Sequence, residues 1–250
     1  MRGKNFSILL FVFLWLPVWL GAEGRSELYK TMLVRAAPGQ LLALIQLYEQ
    51  HMNFYDQAGD ARPFWMRHSQ GDQWDLLFLF PMGSFADYFA PQRIQKRSQA
   101  WASRGETAEG FADRFYQLVA WHEDTYVEGP PVEKVRAAFQ RGRFYHVEMF
   151  RSLPGKQKQL YRQREMENNY LEELGRPQNL IFTHEQGGAW DLFTIGFYRH
   201  LAHFAESGAI AQEKEDRAAR KAGFESAGQI GPYLRTLIAE HHDTLAVAIP

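Results

Sequence analysis

The stretch HSQGDQWDL, His68 to Leu76, returns as HEQGGAWDL, His184 to Leu192. Upstream, YKTMLVRAAPG at positions 29–39 returns as YHVEMFRSLPG at 145–155, and Glu49, Asn53 and Gly59 return as Glu165, Asn169 and Gly175. One offset of 116 residues, Tyr29 to Tyr145, serves all these pairs. A repeat of this length is two copies of one supersecondary unit, each with an apolar surface that the other can cover. Downstream, His122-Glu123-Asp124-Thr125 matches His241-His242-Asp243-Thr244 at an offset of 119, so the second copy carries three extra residues.

Each copy opens with an alternating stretch, Leu28 to Arg35 and Phe144 to Arg151, then Pro-Gly, then a segment with helical spacing. That order is strand, turn, helix. The first helix carries a stripe of Leu41, Leu44, Ile45, Tyr48, Met52 and Tyr55; in the second the stripe thins to Leu160, Tyr161, Tyr170, Leu171 and Leu174. Gly59 and Gly175 stand where helix stops belong. Two short apolar runs around Gly71, and again around Gly187-Gly188, read as hairpins. Helical regions follow, about Ser84 to Trp121 and Leu201 to Glu240, and each copy ends in a short strand. Strand, helix, strand, strand, helix, strand is the ferredoxin-like split βαβ arrangement, an α+β unit.

Two such units in one chain, with the recurring Trp-Asp hairpin, resemble the dimeric α/β barrel superfamily, which includes the antibiotic-biosynthesis-monooxygenase and NIPSNAP-like families. The resemblance implies an intramolecular α/β barrel of two tandem βαββαβ repeats. Its members include cofactor-free monooxygenases, isomerases and haem-binding enzymes, so the resemblance spreads the functional expectation over several chemistries. The domain reading is a signal peptide at 1–24, a first repeat at 25–129, a linker at 130–143 and a second repeat at 144–250.

The signal reading rests on Met1-Arg2-Gly3-Lys4, an apolar run from Phe6 to Leu20 broken only by Ser7 and Pro17, and the small residues Ala22 and Gly24. It makes the protein an exported one, periplasmic or secreted; an uncleaved anchor is the alternative. With no cysteine, the exported fold must rest on its core rather than on disulfides. A net charge of −1 argues against nucleic acid as a partner. The 15% aromatic content favours a large apolar core or an aromatic-lined cavity.

Period two separates the faces of each strand, and the face carrying Lys30, Met32, His146 and Glu148 is the more polar and the more divergent between copies. That face is assigned to the lumen, with His146 and Glu148 as acid/base groups and Lys30 and Met32 as ligand contacts. On the hairpin strands Trp74 and Phe78 correspond to Trp190 and Thr194, and Phe80 to Gly196; the loss of bulk opens room for a ligand, or is absorbed by neighbours. His68 and His184 end equivalent strands and serve either proton transfer or pinning of the loop. His122 with Asp124, and His241 with Asp243, share a face if they lie on strands. They do not if they finish the preceding helix. His241 and His242, being adjacent, cannot both reach one ion on a regular strand, so no metal site is assigned. No glycine-rich phosphate loop, GxSxG or HExxH is present.

The leading expectation is an exported barrel that binds a small apolar or aromatic molecule between its sheets, whether as a cofactor-independent monooxygenase or isomerase or without catalysis. A ligand carrier or protein-interaction module is the first alternative and haem or metal binding the second. The residues require no cofactor.

Overall fold

In the computed structural model, residues 27–249 are described; the segment read as a signal peptide lies outside them. The first repeat contains β1 (Glu27–Ala36), α1 (Leu41–Ala58), β2 (Phe64–Gln70), β3 (Leu76–Gly83), the helices α2 (Phe85–Tyr88), α3 (Pro91–Ser103) and α4 (Ala108–Leu118), and β4 (Val119–Gly129). A helix α5 (Val132–Arg141) leads to the second repeat. There β5 (Phe144–Ser152), α6 (Gln157–Glu173), β6 (Leu180–Gly187) and β7 (Leu192–Tyr198) are followed by α7 (Leu201–Ala205), α8 (Gln212–Lys221), α9 (Ile230–Arg235) and β8 (Ile238–Val247). Among the described residues no helix is long and apolar enough to cross a membrane.

Within each repeat the strand order is that of the split βαβ unit, β4-β1-β3-β2 and β8-β5-β7-β6, all antiparallel. The two sheets join along both edges. Arg67 and His68 of β2 pair with Val247 and Ala246 of β8, and Tyr126 and Val127 of β4 pair with Gln186 and His184 of β6. Among the described residues the eight strands form a closed barrel with no open sheet edge.

Closure explains two of the repeated glycines. Each hairpin loop lies against the last strand of the other repeat, so closely that a Cβ on Gly71 would stand 2.3 Å from the Asp243 carbonyl oxygen, and one on Gly187 2.6 Å from that of Asp124. Both glycines also hold positive φ, 116° and 82°. The repeated aspartates have a matching task. Asp75 accepts the Ala36 amide at 2.8 Å, and Asp191 accepts the Ser152 amide at 2.8 Å, fixing the end of the neighbouring strand.

The lumen is packed. Tyr29, Leu33, Leu77, Leu79, Tyr145, Val147, Phe193 and Ile195 fill it, and α5 closes one end with Val135 and Ala138. At the other end only about 20 Å³ remains among Leu33, Glu123, His184, Trp190 and Phe193, room for roughly one water. Lys30, Met32, His146 and Glu148, expected in the lumen, are on the opposite face and point at the helices: Met32 packs with Leu44 and Tyr48 of α1, and Glu148 meets Arg164 of α6. Alternation separates two faces without saying which one a second sheet will cover. Here both are covered, and the divergent face is the one under the helices. Of the proposed ligand walls, Trp74 is buried in the lumen, but Phe78 and Thr194 also lie under the helices.

Candidate functional site

The helix-facing side of the second sheet carries a polar cluster assembled from three strands and one helix. On β5, His146, Glu148 and Phe150 share a face, and on β8 so do His241 and Asp243; the register sets Glu148 opposite Asp243 and Phe150 opposite His241. Both His-Asp pairs therefore lie on strands. His146 Nε2 is 2.9 Å from Asp243 Oδ1, and His241 Nε2 is 3.5 Å from Asp243 Oδ2 and 3.6 Å from Glu148 Oε1. The His241 ring stacks on Phe150, with centroids 4.7 Å apart and planes at 7°. His242 faces away and meets Asp72 at 3.0 Å and the Trp190 ring at 4.7 Å, as alternation requires.

Glu148 is buried yet well supplied with partners. Thr194 donates its hydroxyl at 3.1 Å, and the Arg164 guanidinium, itself buried on α6, reaches both carboxylate oxygens at 3.3 and 3.4 Å. Arg164 also pairs with Glu167, donates to Gln163 at 2.7 Å and lies 4.8 Å over the Phe150 ring. Burial alone would raise the Glu148 pKa; Arg164 and the nearby imidazoles outweigh it and hold the carboxyl well below the usual range. Glu167 takes the other course. Burial pushes its pKa up, Arg164 only partly offsets this, and Glu148 adds to the rise. For His146, burial works downward, but the hydrogen bond to Asp243 and the charge of Glu148 raise the pKa overall. Carboxyls and imidazoles with pKa values driven apart within one cluster are equipped to give and take protons.

The equivalent chamber of the first repeat is an aromatic core. Where the second copy has Glu148, Arg164, Glu167 and Thr194, the first has Met32, Tyr48, His51 and Phe78. Tyr48 packs on Phe78 at 4.3 Å, and His51 lies buried among Phe54, Trp101 and Phe111. Its charged groups stand at the edge, where Lys30 Nζ and His122 Nδ1 each approach Asp124 at 3.6 Å.

The structure thus brings together His146, Glu148, Thr194, His241 and Asp243 from the sequence candidates and leaves out the rest. Lys30, Met32, Phe78, His122 and Asp124 belong to the first chamber. His68, His184, Trp74 and Trp190 sit toward the open end of the barrel, where the His184 ring bonds the Gly187 carbonyl at 2.5 Å and so ties down its own loop. The space expected from Gly196 is occupied. A Cβ there would meet Asn179 Oδ1 at 2.8 Å and the Tyr198 ring at 3.1 Å. Arg164 and Glu167 escaped the sequence reading; the one signal was the thinning of the apolar stripe, which puts Arg164 where the first copy holds Tyr48.

No family model matches the chain, and no curated protein does. Solved structures do. An anthrone oxidase-like protein is 11% identical with a TM-score of 0.53, covering 90% of this chain and 92% of the other. A protein of Fusobacterium nucleatum, provisionally described as a monooxygenase, is 9% identical with a TM-score of 0.52, covering 89% and 93%. One from Lactobacillus acidophilus with the same provisional description is 10% identical with a TM-score of 0.50, again covering 89% and 93%. At these identities the likeness is one of fold, an α+β barrel closed from two ferredoxin-like repeats.

Proposed function

We propose that this chain is an exported small-molecule-binding protein whose working site is the polar chamber of the second repeat, and that it acts on an apolar or aromatic molecule by removing a proton. The observation that carries this reading is the contrast between the chambers. Burying a carboxylate and a guanidinium costs several kcal/mol each before pairing, and the first repeat meets the same architectural need with Met32, Tyr48 and Phe78. Charge retained under α6 therefore serves chemistry rather than packing.

The His146–Asp243 pair supplies a base within reach of solvent, since Asp243 is about half exposed and His146 partly so. Asp243 orients the imidazole and stabilises the imidazolium formed when it takes a proton. Glu148, held as a carboxylate by Arg164 and Thr194, adds a fixed negative charge beside it. Proton removal is a first step shared by isomerisation and by oxygenation of an electron-rich aromatic. Both reactions belong to the chemistry that the superfamily resemblance implies, and the described names of two structural neighbours point the same way. Export follows from the basic start, apolar run and small residues of positions 1–24.

Native mass spectrometry of the protein purified from its own host tests this reading. A retained organic molecule is expected, lost when His146→Ala and Asp243→Asn are combined. Equal retention by the double variant would move the ligand elsewhere and overturn the assignment.

A further inference from the structure

We propose that His146, Glu148 and Asp243, joined by His241, form a binding site for one divalent transition-metal ion. Three observations carry it. The first is convergence: one donor atom from each of His146, Glu148 and Asp243 can be chosen so that all lie within 4.8 Å of one another. Beside these three, His241 Nε2 lies 3.5 Å from Asp243 Oδ2 and 3.6 Å from Glu148 Oε1, and it is buried with no hydrogen-bond partner. Ligands placed about 2.1 Å from a tetrahedral ion stand about 3.4 Å apart. The separations of 3.5 Å from His241 to Asp243 Oδ2 and 3.6 Å from His241 to Glu148 Oε1 are close to that value, while His146 stands at hydrogen-bond distance, 2.9 Å, from Asp243 Oδ1.

The second observation is the internal comparison. In the first repeat the positions of His146 and Glu148 are held by Lys30 and Met32, and the Lys30 ammonium stands 3.6 Å from Asp124, itself 3.6 Å from His122. That copy has a built-in cation beside the same His-Asp pair. The second copy removes the ammonium and puts two metal-ligating side chains in place of Lys30 and Met32.

The third is orientation and charge. Thr194 holds Oε2 of Glu148 and Arg164 reaches both of its oxygens, while Oε1 lies 3.6 Å from His241, whose ring is set by stacking on Phe150. Partners of this kind aim ligands at a metal. Arg164 is shared between Glu148 and Glu167, which leaves three carboxylates in the cluster against one guanidinium. Two imidazoles and two carboxylates suit zinc, manganese or iron(II) better than magnesium or calcium, which prefer all-oxygen shells. Bound there, the ion would act as a Lewis acid toward a small molecule or activate a water.

The site shares its location with the function proposed above but does not depend on the organic ligand. The test is isothermal titration of the chelator-treated chain with ZnCl2 and with MnCl2, and metal analysis after gel filtration. One ion per chain is expected. H146K/E148M, which installs the first repeat's own residues, and D243N, an exposed change that spares the core, are each expected to weaken binding by about 100-fold or more, at least the roughly 10–100-fold that losing a mere orienting partner costs, while His242→Ala leaves it unchanged. Folding of each variant is verified by circular dichroism. Absence of stoichiometric binding, or equal binding by H146K/E148M and D243N, would overturn the inference. A retained organic molecule on a chain without metal affinity would defeat this inference alone, whereas metal binding without any organic ligand would defeat the other.

Discussion

Removing the Arg164 guanidinium while keeping its bulk, by Arg164→Met, tests whether the second chamber is the buried charge cluster described here. Arg164 is almost completely buried, contacts both oxygens of Glu148 and pairs with Glu167. The substitution leaves Glu148 in a site where burial raises its pKa and the chief opposing charge has gone. Breaking a buried pair in this way costs about 3–5 kcal/mol. At about 2–4 °C per kcal/mol for a chain of this size, the melting temperature should fall by about 6–20 °C. The partner experiment removes both charges. Arg164→Met with Glu148→Met rebuilds an apolar chamber like that of Met32 and Tyr48, and it should regain most of the loss or exceed the parent by about 1–4 kcal/mol. Urea unfolding followed by tryptophan fluorescence gives both numbers. A single variant as stable as the parent would mean that the cluster is hydrated, and would refute the reasoning about its cost.

Three other outcomes follow from the geometry. Gly71→Ala and Gly187→Ala each force a Cβ against a carbonyl oxygen of the opposite repeat at positive φ, so each should cost about 1–3 kcal/mol or more; thermal unfolding that separates neither from the parent would disprove the account of closure. His51 has its pKa lowered by burial from 6.5 to about 4, so the folded state resists its protonation. Stability tied to it is complete above pH 6.5 and falls as the pH drops toward 4, by about 3 kcal/mol at 1.36 kcal/mol per unit. Urea midpoints at pH 7 and pH 4 should differ less in His51→Phe than in the parent. Asp191→Ala removes the acceptor for the Ser152 amide and hydroxyl and should lower stability by about 1–2 kcal/mol, measured by the same unfolding assay.

The candidate site was partly legible. His146, Glu148, His241, Asp243 and Thr194 were all picked out by comparing the copies, because a duplicated chain supplies its own control: where Met32 became Glu148 or Phe78 became Thr194, packing had been exchanged for polarity. Their common location was misread, since strand alternation is blind to what lies over a face. Arg164 and Glu167 were missed because charged residues on a helix with many polar neighbours look like its solvated side until the sheet beneath is known.

The amino-acid sequence alone determined the duplication, the order of elements in each copy and the turns that separate them, because local periodicity and glycine placement are properties of neighbouring residues. It also determined that the copies had diverged in polarity along one strand face. Only the tertiary structure decided that the two sheets close on an apolar lumen with room for about one water, and that the divergent face lies beneath α6. Which surface of a sheet meets another sheet and which meets helices is settled by contacts between segments more than a hundred positions apart, such as His68 with Ala246, and no local pattern encodes it.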